Sequence, residues 1–126
     1  MRLLLLLAAA ASSLAAQTGE NVLLVVNGND SASREIGEYY RPRRSIPVKN
    51  VCTLSTTSEE EVDWSTYEQT IERPIGECLK KNALQEKVLY LVTTLGVPLK
   101  VKGAGSGWMA ENGSVDSELA LLYGKL

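Results

Sequence analysis

The sequence predicts an α/β fold built on a three-stranded parallel sheet, strand order 2-1-3, flanked by helices. Three observations carry this prediction. Short β-prone apolar runs recur at Val22–Val26, Val48–Leu54 and Lys87–Thr93. Helical patterns separate them, and those crossovers are long enough to return the chain for parallel pairing. Within the third run, Val88 to Val92 is continuously apolar, the pattern of a strand covered on both faces. Right-handed crossovers and short connections then place the first strand in the middle, with the switch point of the sheet between strands one and three.

The chain opens with Arg2, the apolar run Leu3–Ala11 and the small-residue pattern Ser13-Leu14-Ala15. This order reads as a secretory signal cleaved after Ala15 or Ala16, because the run is shorter than the roughly 20 residues that a spanning helix needs. Residues 1–16 are therefore set apart as a signal peptide, and residues 17–126 form a single α/β domain. The chain is expected to be exported, periplasmic or extracellular, with no membrane span once the signal is removed.

The first strand stops at the turn formers Asn27-Gly28-Asn29-Asp30, and Asp30 or Ser31 can cap the helix that follows. Ile36, Tyr39 and Tyr40 give that helix an apolar side, and Arg41-Pro42 is expected to end it. Arg41, Arg43 and Arg44 then complement the helix dipole, a reading preferred to an anion site. The acidic stretch Ser55–Asp63, with Glu59, Glu60 and Glu61 in a row, reads as a solvated loop. Ser65-x-x-Glu68 is a capping-box pattern, and Tyr67, Ile71, Ile75, Cys78 and Leu79 recur at helical spacing behind it. Pro74 either kinks that helix or begins a second segment. Asn82 closes it. A last helix runs from about Val115 to Tyr123, capped by Ser114 and ended at Gly124. The chain stops shortly afterwards, leaving the apolar edge of the third strand bare. That edge points to a domain incomplete at its carboxyl terminus, unless Leu99–Lys102 adds as a further strand and closes it.

The formal net charge is −2, and loss of Arg2 with the signal makes the mature chain about −3, which argues against nucleic acid as a partner. The chain has no histidine, so it contains neither a Ser-His nor a Cys-His catalytic pair and no His-based zinc site. Cys52 falls in a strand and Cys78 on the apolar side of the next helix. Two buried free thiols are the preferred reading, with a disulfide as the alternative in an oxidising compartment. Gly103-x-Gly105-x-Gly107 lacks the Lys-Ser/Thr of a phosphate loop and reads as a lid or hairpin carrying Trp108 and Met109.

Ligands of open α/β sheets bind beyond the carboxyl ends of the strands, which puts Asn27–Asp30 beside Thr93–Gly96. Asn27, Asn29, Asp30, Thr94 and Gly96 are thus candidate ligand residues, facing the first turn of the last helix with Asp116 and Glu118. The helix dipole alone favours acids in that turn. If they join Asp30 and the Asn27 and Asn29 side chains, the donors are oxygens, suited to a hydroxylated ligand or to calcium or magnesium rather than zinc. No catalytic residue, cofactor, metal or specific partner is assigned.

Four blocks carry a resemblance: Asn21-Val-Leu-Leu-Val-Val-Asn27, Glu35-Ile-Gly-Glu-Tyr-Tyr40 with Ile46-Pro-x-x-Asn50-Val51, Tyr90-Leu-Val-Thr-Thr94-x-Gly96-Val-Pro98, and Ser114-Val-Asp-Ser-Glu-Leu-Ala120. Together they resemble a family of secreted bacterial proteins with longer chains and no established activity. The resemblance implies an amino-terminal fragment and carries over no catalytic residue. More loosely, the order of elements is similar to that of caspase-like and gingipain-like cysteine peptidases, which place a histidine after the third strand and a cysteine after the fourth. Here Thr94-Leu95-Gly96 occupies the first of those turns, and no fourth strand follows. The similarity implies the first part of a larger doubly wound domain, flavodoxin-like or caspase-like, without the dyad. A hydrolase whose catalytic residues lie beyond residue 126 is the alternative to a ligand-binding protein.

Overall fold

The computed structural model describes residues 17–103 and 112–126. Residues 1–16, read above as a signal peptide, lie outside the described residues, as do Gly105, Gly107, Trp108 and Met109 of the glycine-rich loop. Strand β1 (Val22–Asn27) leads into helix α1 (Ser31–Arg43), followed by β2 (Val51–Leu54) and a short β3 (Glu61–Asp63). Helices α2 (Trp64–Tyr67) and α3 (Arg73–Lys81) come next, then β4 (Tyr90–Thr93), β5 (Lys100–Lys102), β6 (Gly113–Ser114) and α4 (Val115–Ala120). The main sheet is parallel throughout in the order β2-β1-β4, the predicted 2-1-3, with Leu24 opposite both Val51 and Val92.

Burial explains why β1 is central. Leu23, Leu24 and Val25 are inaccessible to solvent, and Val26 nearly so. Alternate residues serve opposite faces: Leu23 and Val25 join the larger core with Ile71, Ile75, Leu79, Leu119 and Leu122, while Leu24 and Val26 meet Ile46 on the other face. Helix α1 crosses that second face closely, since a Cβ on Gly37 would stand 2.7 Å from the Val26 Cγ2 methyl. The helix runs one residue past Pro42, which falls in the last turn. Ser45 then takes the left-handed conformation at φ 52°, and Ile46 N–H bonds back to the Arg41 carbonyl. The arginines stay at this terminus, with the Arg43 guanidinium 3.5 Å from the Tyr39 ring centre.

The long helical pattern is interrupted where proline requires it. Pro74 has no N–H to give the Thr70 carbonyl, and its ring crowds that turn. Accordingly Glu68–Glu72 widens into a π-helical turn, with Arg73 N–H bonded to the Glu68 carbonyl, and Pro74 sits in the first turn of α3. The stripe Tyr67, Ile71, Ile75 and Leu79 is buried as predicted. Two boundaries differ from expectation. Asp63, not Ser65, caps the helix, accepting from Thr66 N–H at 2.8 Å. The second strand begins at Val51 because Val48–Asn50 turns inward, where the buried Asn50 amide donates to the Glu20 and Val22 carbonyls at 2.9 Å each.

The expected acidic loop contains a strand. Glu61–Asp63 pairs in parallel with Lys100–Lys102, which pairs antiparallel with β6, forming a second small sheet. Ion pairs Glu60–Lys100 at 2.7 Å and Glu61–Lys102 at 2.9 Å flank it, and the buried Val62 and Val101 anchor it. Lys100–Lys102 is therefore a strand, but it does not close the edge of β4.

Cys52 of β2 and Cys78 of α3 form a disulfide, in place of the preferred pair of free thiols. The strand and the helix pack face to face, so the inaccessible Cys52 and the half-buried Cys78 bring their Cα atoms to 6.0 Å. The bridge closes a sequence separation of 26 residues, for which loop entropy gives about 3.5 kcal/mol of stabilisation. Urea unfolding with and without reductant should differ by about 3 to 4 kcal/mol, and alkylation without reductant should modify neither cysteine in a mass spectrum. Equal stability in both conditions would show that the bridge constrains nothing in the unfolded chain.

Candidate functional site

At the carboxyl end of the parallel sheet the loops after β1, β2 and β4 meet around one side chain. Asn27 is inaccessible to solvent. Its Nδ2 donates to the Gly96 carbonyl at 2.8 Å and the Thr57 carbonyl at 3.2 Å. Its Oδ1 accepts from Asn29 N–H at 3.1 Å and Thr56 N–H at 3.5 Å. A carboxamide offers two N–H donors and one oxygen with two lone pairs, so its capacity is fully used. Asn27 is thus a clamp across three loops, and its amide has nothing left to offer a ligand.

A second chain of bonds runs beneath the clamp. Asn27 N–H donates to Ser33 Oγ at 2.8 Å, Ser33 Oγ lies 2.6 Å from Thr94 Oγ1, and Thr94 Oγ1 donates to the Val25 carbonyl at 3.1 Å. Each hydroxyl has a single proton. Thr94 spends its proton on Val25, so Ser33 is the donor to Thr94, and every member of this buried chain is satisfied. Thr94 is therefore a strand-end tie between β4, β1 and α1.

Asp30 caps α1 through Oδ1, accepting from Ser33 N–H at 2.8 Å, while Oδ2 accepts from Ser58 Oγ at 3.0 Å. The Ser33 N–H, then the Ser58 hydroxyl, hold its pKa below the usual carboxylate value. Gly96 passes close by with φ +87°, and a Cβ there would come within 2.7 Å of the Asp30 carboxyl carbon. Only glycine fits both the left-handed backbone and that approach. Asn29 is exposed, with Nδ2 bonded to Ser55 Oγ at 3.2 Å and the Thr56 carbonyl at 3.1 Å. Its Oδ1 accepts no bond among the described residues.

Asn27, Asn29, Asp30, Thr94 and Gly96 thus share one crest, joined by Ser33 and the hydroxyl run Ser55–Ser58. That run belongs to the stretch whose sequence reads as a solvated loop, although four hydroxyl residues directly after a parallel strand are placed where such sheets bind ligands. Asp116 and Glu118 stand elsewhere. Asp116 lines a cleft of ≈360 Å³ beside Thr93, Leu91 and Leu119, along the outer side of β4. Glu118 faces the buried hydroxyl of Tyr67, which has no hydrogen-bond partner among the described residues; burial first, then the Glu72 and Glu118 carboxylates, raise its pKa. Among the described residues no three acidic, cysteine or histidine side chains converge as metal ligands would. What the crest offers is neutral: an outward carboxamide and hydroxyls around one carboxylate that is already engaged.

Removing the clamp should be costly, because its amide is buried and fully bonded. Asn27→Ala strands the Gly96 and Thr57 carbonyls and the Asn29 and Thr56 N–H groups, an expected loss of about 2 to 4 kcal/mol in denaturant unfolding. Asn27→Asp should also destabilise, because a carboxylate would face two carbonyl oxygens. A separate acid limb is expected from Asp30. Its folded pKa lies below 3.8, so its contribution is complete above that pH and is lost as pH falls through the folded value. Asp30→Asn, which still caps a helix, should flatten the decline in Tm as pH falls below about 4; an unchanged decline would remove Asp30 from that limb. In comparison with known proteins, no family model, curated protein or solved structure matches this chain.

Proposed function

We propose that this chain is an exported α/β protein that holds a small hydroxylated ligand on the crest formed by Asn29, Asp30 and the exposed hydroxyls of Ser55, Thr57 and Ser58. The supporting observation is the Asn27 clamp. Its buried amide orders three loops before any ligand arrives, so binding on the crest pays little additional ordering cost. The exposed Asn29 carboxamide and the neighbouring hydroxyls are matched in kind to the alternating donors and acceptors of a polyol. A hard cation is the weaker occupant, since both Asp30 oxygens already accept hydrogen bonds and calcium takes six or more oxygen ligands. Export is supported by the disulfide, a bond that persists in oxidising compartments, together with the signal-like leader.

A second reading is favoured by a different observation, the outer edge of β4, which no strand among the described residues pairs with. It makes this unit the amino-terminal part of a secreted hydrolase whose catalytic residues lie beyond residue 126. Reading the gene downstream decides it: a further strand ending in a nucleophile or an acid-rich loop supports the hydrolase, and a stop codon removes it.

For the crest, a nitrogen-15 NMR titration with glucose and with ribose is the direct measurement. Saturable shifts are expected at the amides of Asn29, Asp30 and Ser58, abolished by Asn29→Ala, while calcium chloride leaves those signals in place. Absence of saturable shifts with either sugar, or shifts confined to the cleft beside β4, would overturn the assignment.

A further inference from the structure

The outer edge of β4 is built for pairing. Its inner edge belongs to β1: Leu89 N–H donates to the Asn21 carbonyl at 2.8 Å, and Val22–Val25 runs in register with Tyr90–Thr93. Successive residues of a strand present their backbone groups to opposite sides. Those of Leu89 and Leu91 meet β1, so those of Tyr90 and Val92 point away from it. Among the described residues no strand takes them, because β5 and β6 belong to the second sheet. Nor does the edge carry the usual protection: from Val88 to Thr93 there is neither charge nor proline. The cleft that follows it is walled by Leu91, Leu119 and Leu122, and Leu89 and Tyr123 at its rim are 64% and 65% exposed.

We infer that a second copy of this chain covers this edge, its β4 lying antiparallel to the first about a two-fold axis at Leu91, so that the two sheets become one. This register places Tyr90 of each copy opposite Val92 of the other, and each such pair exchanges both N–H···O bonds through groups that β1 leaves free. Leu91 meets its own counterpart on the cleft face, with Leu89 opposite Thr93, and the apolar rim closes over the cleft. Charge selects the antiparallel sense. Asp116 follows Val115, whose N–H bonds to the Leu99 carbonyl beyond the carboxyl end of β4, and it lines the cleft together with Thr93; the exposed Lys87 precedes the strand's amino end. Neither side chain has an ion-pair partner among the described residues. Antiparallel pairing brings the second copy's Lys87 toward Asp116, and symmetry repeats the contact. An isologous interface of this kind is self-complementary and closes on itself as a dimer.

The test is sedimentation equilibrium of the full chain, expressed with its leader and purified from the compartment it reaches. A reversible dimer is expected, with amide exchange at Tyr90 and Val92 slowing as the dimer forms. Leu89→Lys, at a position exposed enough to leave folding intact by circular dichroism, should weaken association about tenfold or more. Lys87→Glu should weaken it roughly three- to tenfold, and adding Asp116→Lys should restore it. A monomer at every concentration up to the solubility limit overturns the proposal. So does a dimer that ignores Leu89→Lys and leaves the Tyr90 and Val92 amides in free exchange.

Discussion

The geometry above the sheet depends on the buried carboxamide of Asn27. Hydrogen bonds between β2, β1 and β4 align the strands, but they stop at the strand ends and leave the three following loops undetermined. Asn27 is the last residue of the central strand, and its four polar contacts reach all three loops from a position that water does not enter. In such surroundings a satisfied network is rigid and a half-satisfied one is costly. The buried chain from Asn27 N–H through Ser33 and Thr94 to Val25 adds the amino-terminal turn of α1 to the same unit. Strand, helix and loops therefore hold the crest in one arrangement.

Much of the frame was legible because it is written in local periodicity. The apolar runs located β1 and β4, the stripe Tyr67, Ile71, Ile75 and Leu79 located the long helix, and crossover length with handedness ordered the strands. The site was legible in position and not in role. Asn27 reads as a turn former, yet its donor bonds reach residues 30 and 69 positions away, and no local pattern encodes that reach. The same limit hid β3, whose Glu61–Asp63 is polar but for Val62 and becomes a strand only through Lys100–Lys102. It also separated Asp116 from Asp30: both lie in turns beside the sheet, but α4 sits along the outer side of β4 rather than over the switch point. Asp63 displaced Ser65 as the helix cap because β3 delivers the chain two residues earlier than the capping-box pattern suggests.

The two edges of the main sheet are treated differently. At β2 the disulfide fastens the strand to α3, and the buried Cys52 and Leu54 lie under that helix. At β4 only one side is paired among the described residues, the strand is partly exposed throughout, and the cleft toward α4 is largely apolar. The faces are unequal as well. The side under α2, α3 and α4 holds most of the buried residues, whereas α1 covers the other side with Leu24, Val26 and Ile46 as its fully buried members. Apolar surface left in this way is stabilised when something covers it, and the open side of β4 is where this fold has most to gain.

The disulfide also governs how the molecule responds to acidity. A chain without histidine has few side chains able to change charge near neutrality, and the thiols of Cys52 and Cys78 would have been among them. Joined to each other, they no longer titrate. The disulfide thus leaves this sequence without a side chain whose ordinary titration falls near neutrality.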